Sequence, residues 1–130
     1  MSMNPVVHFQ LPASNTKRAA TFYQRAFGWK NKQLGPDMGN YVLAQTTEVT
    51  KAGRTKAKGH INGGFFQKSK AAPHPCIVIA VPDIKKAAKK VKSGGGKLLG
   101  LTVEIPGVGL YAMFLDSEGN RAAMLQPFEM

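Results

Sequence analysis

Apolar and polar positions alternate along Val6–Leu11, so Val6, His8 and Gln10 point to one side of a strand and Val7, Phe9 and Leu11 to the other. The period then changes. Ala19, Phe22, Tyr23, Ala26 and Phe27 recur at spacings of three and four, which predicts one apolar stripe on a helix reaching about Phe27. Ser14 or Asn15 can cap its orphan N–H groups, and Gly28 can end it in the left-handed conformation. Short strands are predicted at Tyr41–Thr46 and Ile61–Gln67. Between them, Thr47–Lys58 is rich in Thr, Lys, Gly and Ala and reads as a mobile loop.

The second half repeats this order. Cys76–Val81 reads as a strand, Pro82–Asp83 opens a helix, and Ile84, Ala87, Ala88 and Val91 form its stripe up to Gly94-Gly95-Gly96. Strands follow at Lys97–Leu101, Leu110–Leu115 and Ala122–Gln126. The last two are joined through Asp116-Ser117-Glu118-Gly119-Asn120, a hairpin turn with Gly119 available for a positive φ. Lys17-Arg18-Ala19-Ala20 aligns with Lys85-Lys86-Ala87-Ala88, and the same offset pairs Gly28 with Gly96 and His8 with Cys76. Each half thus reads as strand, helix, then two or three strands. The fold class predicted is α+β, one domain over residues 1–130 built of module one (about 4–67) and module two (about 76–127), with the boundary near Lys68–Pro75.

Composition narrows the setting. A chain of 130 residues is long enough for one self-supporting core. A single cysteine, Cys76, permits no internal disulfide and fits a reducing compartment. Met1–Gln10 does not read as a signal peptide, and no stretch approaches the ~18 apolar residues of a membrane span. The expectation is a cytoplasmic protein with no membrane partner. Eighteen Lys and Arg against seven Asp and Glu give a net charge of +11, which draws anions as well as keeping the surface solvated. Lys85, Lys86, Lys89, Lys90 and Lys92 form the polar face of the second helix. No helix-turn-helix, RNA-binding sheet signature or zinc finger accompanies them, so nucleic acid is disfavoured as a partner. Phosphate-loop, nucleophile-elbow and HExxH signatures are missing too, and no carboxylate pair has acid–base spacing.

Several stretches together carry a resemblance. His8-Phe9-Gln10-Leu11-Pro12, then Phe22-Tyr23 and Phe27-Gly28-Trp29, is similar to the opening of the vicinal oxygen chelate superfamily, the glyoxalase/bleomycin-resistance/dioxygenase group. Ile79–Ile84 with Gly94–Leu98 resembles its second-module opening. Ile105-Pro106-Gly107-Val108-Gly109 and Phe114-Leu115-Asp116-Ser117-Glu118-Gly119-Asn120 resemble its closing segment. The resemblance implies two βαβββ modules in tandem, forming an incomplete barrel around a cavity, and a homodimer. In metal-dependent members it also implies a divalent ion held by His or Glu from the first and last strands of each module. Carried over, those positions fall on His8, near Asn62 or Gly63, on Cys76 and on Ala123. Only His8 is a conventional ligand; a shift of one or two residues would promote His60, and Gln126 is a shifted partner for Ala123.

The expectation is therefore no metal and no cofactor. The fold would bind a small organic molecule, possibly acidic, in the cavity through His8, Gln10, Tyr41, Asn62, Phe65, Cys76 and Tyr111. The alternative is a metal-dependent lyase, isomerase or dioxygenase that uses His8 with unconventional ligands. His8 has a structural reading as a satisfied barrel histidine, Cys76 as a buried small apolar group, and the aromatics as core packing.

Overall fold

The computed structural model describes residues 3–52 and 54–128. Gly53, in the segment read as a mobile loop, lies outside them. The chain forms two compact units. One runs His8–Pro75, and the other is built from Cys76 onward together with the segment up to Val7.

The first unit contains β1 (Val6–Ala13) from His8 onward, α1 (Thr16–Phe27), β2 (Lys30–Gln33), a short 3-10 turn (Pro36–Met38), β3 (Val42–Gln45) and β4 (Asn62–Gln67). Its strands lie in the order β2-β3-β4-β1. β1 runs parallel to β4 with His8 opposite Asn62 and Gln10 opposite Gly64, and the other neighbours are antiparallel. β2 was not predicted, because Lys30-Asn31-Lys32-Gln33 has no apolar alternation. Its pairing with β3 fixes it instead, along with an Asn31 Nδ2 that donates to the Ala20 carbonyl at 2.9 Å.

Of the two candidate caps for α1, Asn15 does the capping: its side chain accepts from the Arg18 N–H at 2.9 Å. Gly28 ends the helix at φ 75°. The apolar stripe does not all go inward. Ala20 is buried and Ala19 and Tyr23 pack on the core, whereas Phe22 (57% exposed) and Phe27 (66% exposed) face solvent. The core consists of Ala20, Val42, Ala44 and Phe65, with Phe9, Leu11, Tyr23 and Trp29 against it. Tyr23 and Trp29 stack with centroids 4.5 Å apart, and Phe65 lies 5.5 Å from Tyr23.

The second unit repeats the plan with β5 (Cys76–Ala80), α2 (Ile84–Ser93), β6 (Lys97–Ile105), β7 (Gly109–Leu115) and β8 (Arg121–Pro127). Its order is β5-β8-β7-β6, with β5 parallel to β8. Asp83 caps α2 by accepting from the N–H groups of Lys85 and Lys86. Gln126 Oε1 accepts from the Ile84 N–H at 2.9 Å, so this residue ties β8 to the helix start. Val81, Ile84, Ala112 and Met124 form the buried core, with Ile79, Leu98, Leu110 and Phe114 around it. β6 outlasts its predicted end by four residues and shifts register between Leu99 and Val103, next to Gly100 at φ 74°. In the β7–β8 turn, Asp116 Oδ1 accepts from the Glu118 and Asn120 N–H groups and Gly119 adopts φ 82°, as predicted. Those hydrogen bonds hold the exposed Asp116 carboxyl below its ordinary value.

Candidate functional site

Strand alternation sorts the site residues. In β1, Phe9 and Leu11 pack toward α1, so His8 and Gln10 take the opposite face of the sheet. In β3, Val42 and Ala44 are buried in the core. Tyr41, just before them, lies on the face of His8. β4 sits between β3 and β1, and its two central glycines explain how the rings fit. A Cβ on Gly63 would run into the Phe9 ring on the core side. A Cβ on Gly64 would run into the Tyr41 ring on the other side. Consecutive strand residues face opposite ways, so each glycine admits one ring flat against the backbone. Tyr41 thereby crosses β4 and its hydroxyl reaches His8 Nε2 on β1, at 3.0 Å.

His8 is half-buried, and burial lowers its pKa from 6.5 to about 4. The imidazole is neutral near pH 7. With its proton on Nδ1, the Tyr41 hydroxyl donates to Nε2. The pair is an uncharged polar unit on the sheet face remote from α1. Gln10 shares this face, two residues along β1. Asn62, opposite His8, has its carbonyl oxygen occupied: Oδ1 accepts from the Thr46 N–H at 2.8 Å and from the Thr47 N–H at 3.3 Å. Phe65 lies elsewhere. It is fully buried on the α1 side of the sheet, among Ala20, Val42 and Ala44. His60 precedes β4 and is exposed, with Nδ1 3.1 Å from Thr47 Oγ1.

The second module has a comparable face. Ile79 and Val81 pack toward α2, which turns Cys76, Val78 and Ala80 away from it. On β8, Met124 is in the core, so Arg121, Ala123 and Leu125 share the face of Cys76. On β7, Ala112 and Phe114 face α2 and Tyr111 and Met113 do not. The half-buried Arg121 guanidinium places Nη1 3.8 Å from Cys76 Sγ, and Nη2 reaches Met113 Sδ. Burial raises the Cys76 thiol pKa, and the Arg121 charge partly opposes that rise. Gln126 faces α2, where it caps the helix, and is not on the face of Ala123.

These residues do not fit a divalent ion. Gln10 stands opposite Gly64 in the first module as Val78 stands opposite Ala123 in the second. Gly64 is therefore the counterpart of Ala123, and neither offers a donor atom. His8 Nε2 is engaged by Tyr41, and Cys76 has a cation beside it, which disfavours a second cation there. Among the described residues no three His, Cys, Asp or Glu side chains come together to hold a metal. The role of Gly64 escaped the sequence reading. Its signal was visible, however, as a glycine pair inside an otherwise strand-like run.

Two βαβββ units in tandem define the class as that of tandem-module α+β proteins. Residues 6–124 match the model of the Glyoxalase/Bleomycin resistance protein/Dioxygenase superfamily, and the chain belongs to that family. A glyoxylase-like domain-containing protein of Didymella fabae is 32% identical over 120 residues, covering 88% of each chain. Among solved structures, a hypothetical protein from Bacillus halodurans C-125 superposes with a TM-score of 0.71 at 15% identity, covering 99% of this chain and 98% of that one. A Streptomyces coelicolor methylmalonyl-CoA epimerase variant in complex with 2-nitronate-propionyl-CoA gives 0.69 at 9% identity, covering 99% and 98%.

Proposed function

We propose that this protein binds a small organic molecule, acidic in character, on the sheet face remote from α1, and that it does so without a metal ion. The observation that carries this reading is the His8–Tyr41 pair. Its rings are set by Gly64 and its imidazole is neutral. A fixed, uncharged donor–acceptor pair on a half-buried face suits a ligand oxygen, because it orients that oxygen at little reorganisation cost. The net charge of +11 favours an acidic ligand through long-range attraction.

The test is ligand-induced thermal stabilisation across small carboxylates and acyl-CoA compounds, including 2-nitronate-propionyl-CoA, which the solved epimerase holds. Tyr41→Phe and His8→Ala are run in parallel. The expected result is saturable stabilisation by at least one acid, weakened roughly tenfold when the tyrosine hydroxyl is removed, equivalent to about 1.4 kcal/mol. Stabilisation that both variants retain unchanged would remove the pair from the site. Stabilisation by no compound would defeat the binding reading itself.

A further inference from the structure

We propose that the solvent side of α1 docks this protein on an anionic lipid bilayer, with Phe22 and Phe27 entering the apolar layer and Lys17, Arg18 and Arg25 meeting the headgroup phosphates. This goes beyond the ligand reading above and does not depend on it. Every residue involved lies in the first unit. No helix among the described residues is long and apolar enough to cross a membrane. The sequence expectation of no membrane partner concerns crossing, and adsorption on a bilayer needs no span.

An uncovered apolar cluster and an unopposed charge meet at one place. Phe22 is 57% exposed and Phe27 is 66% exposed. Their ring centroids lie 6.5 Å apart, and the two rings also stand 5.1 and 5.9 Å from Tyr23. They form one patch, and a helix fixed to its sheet through Ala20 and Tyr23 holds that patch outward. α1 carries Lys17, Arg18 and Arg25 and no Asp or Glu, and among the described residues none of these three cations is in an ion pair. An open depression of about 660 Å³ lies among Lys17, Arg18, Thr21, Phe22 and Arg25, with room for a phospholipid headgroup beside the ring. Cations flanking exposed aromatic side chains make up the surface of an interfacial helix. Each Lys or Arg close to an anionic surface strengthens adsorption, and the rest of the +11 charge attracts the same surface from a distance. Two other occupants fit less well. The Phe22 and Phe27 rings are inclined at 73°, so they do not offer the parallel platforms on which successive bases stack. A patch of two rings and three cations is small beside the ~800 Å² per partner of a stable protein interface, whereas a bilayer requires no shape complementarity.

The experiment cosediments tag-free protein, at physiological salt, with vesicles of phosphatidylcholine alone and of phosphatidylcholine and phosphatidylglycerol in equal parts. The single tryptophan, Trp29, lies 6.4 Å from Phe27, centroid to centroid, and reports whether this side meets the lipid. Binding is expected to the anionic vesicles only, weakening as salt rises, with Trp29 quenched by brominated acyl chains. Phe22→Ala with Phe27→Ala, and separately Arg18→Gln with Arg25→Gln, should each weaken partitioning roughly tenfold. Lys85→Gln with Lys86→Gln and Lys89→Gln removes more charge, from α2, and should weaken it by about threefold or less. All the substituted positions are exposed, so the variants stay folded, which their urea midpoints check. The proposal is overturned by no binding to anionic vesicles, by equal binding to neutral ones, by an unquenched Trp29 in the bound protein, or by unchanged binding of the phenylalanine variant. A loss on α2 as large as that on α1 would also overturn it, because adsorption would then follow net charge alone. If vesicles fail and a single-stranded oligonucleotide binds with the same dependence on Phe22 and Arg18, the face belongs to nucleic acid and the proposal fails.

Discussion

Gly64 shows how much one missing methyl group decides. With a hydrogen for a side chain it lets Tyr41 lie across β4 and bond His8. Gly64→Ala should displace the ring and destabilise the fold by about 1–3 kcal/mol, read from urea denaturation. An unchanged midpoint would mean that the ring is not held there. His8 supplies a second prediction at this scale. Between pH 6.5 and about 4 the unfolded chain binds a proton that the folded chain refuses. The stabilising contribution is therefore complete above 6.5 and is lost as pH falls toward 4, up to about 3 kcal/mol in all. A histidine Cε1–H NMR titration should show His8 neutral at pH 5.5, and His8→Gln should flatten the acid limb of the stability curve. A midpoint near 6.5 in the folded protein would contradict the burial argument.

The two helices illustrate how periodicity is legible where tertiary coverage is not. The stripe on α2 is used as its spacing predicts, with Ile84 buried and Ala87, Ala88 and Val91 packed. The stripe on α1 is used in part, since Phe22 and Phe27 project into solvent beside the buried Ala20. Spacing fixes which residues share a side of a helix, but the width of the sheet beneath determines how many of them find a partner. Phe22→Ala should accordingly change stability by about 0.5 kcal/mol or less, while Phe65→Ala should cost about 3–5 kcal/mol, because only the second opens a cavity. Equal losses in chemical denaturation would mean that Phe22 is covered. Asp83→Ala should cost about 1 kcal/mol through the lost cap of α2.

At the scale of the whole molecule, the family membership and the donor set point in different directions. The family includes metal-dependent enzymes, yet the positions that would carry ligands hold a histidine engaged by tyrosine, a glycine, a cysteine beside arginine, and an alanine. Elemental mass spectrometry on tag-free protein, before and after incubation with nickel or zinc, should find far less than one metal per chain. Near-stoichiometric metal that disappears in His8→Ala would restore the enzymatic alternative. A fold shared with an epimerase at 9% identity does not by itself carry its chemistry.

Local patterning by itself determined the α+β class, the repeat of strand, helix and strands, and most element positions, because backbone geometry ties side-chain period to local conformation. It also put His8 and Gln10 on one face of β1 and located the Asp116–Asn120 hairpin turn. Three things lay beyond it. β2 exists because β3 pairs with it, Phe65 goes inward because its own module supplies Tyr23, Trp29 and Ala20 to meet it, and Gly64 matters because a ring from 23 residues earlier, by the numbering of Tyr41, lies on it. Arg121 was passed over for the same reason: only the register of β5 with β8 and of β8 with β7 brings its charge to Cys76 and Met113. The sequence fixes which side of a strand a residue can face, whereas the neighbour it meets there depends on pairings between distant segments, which only the tertiary structure decides.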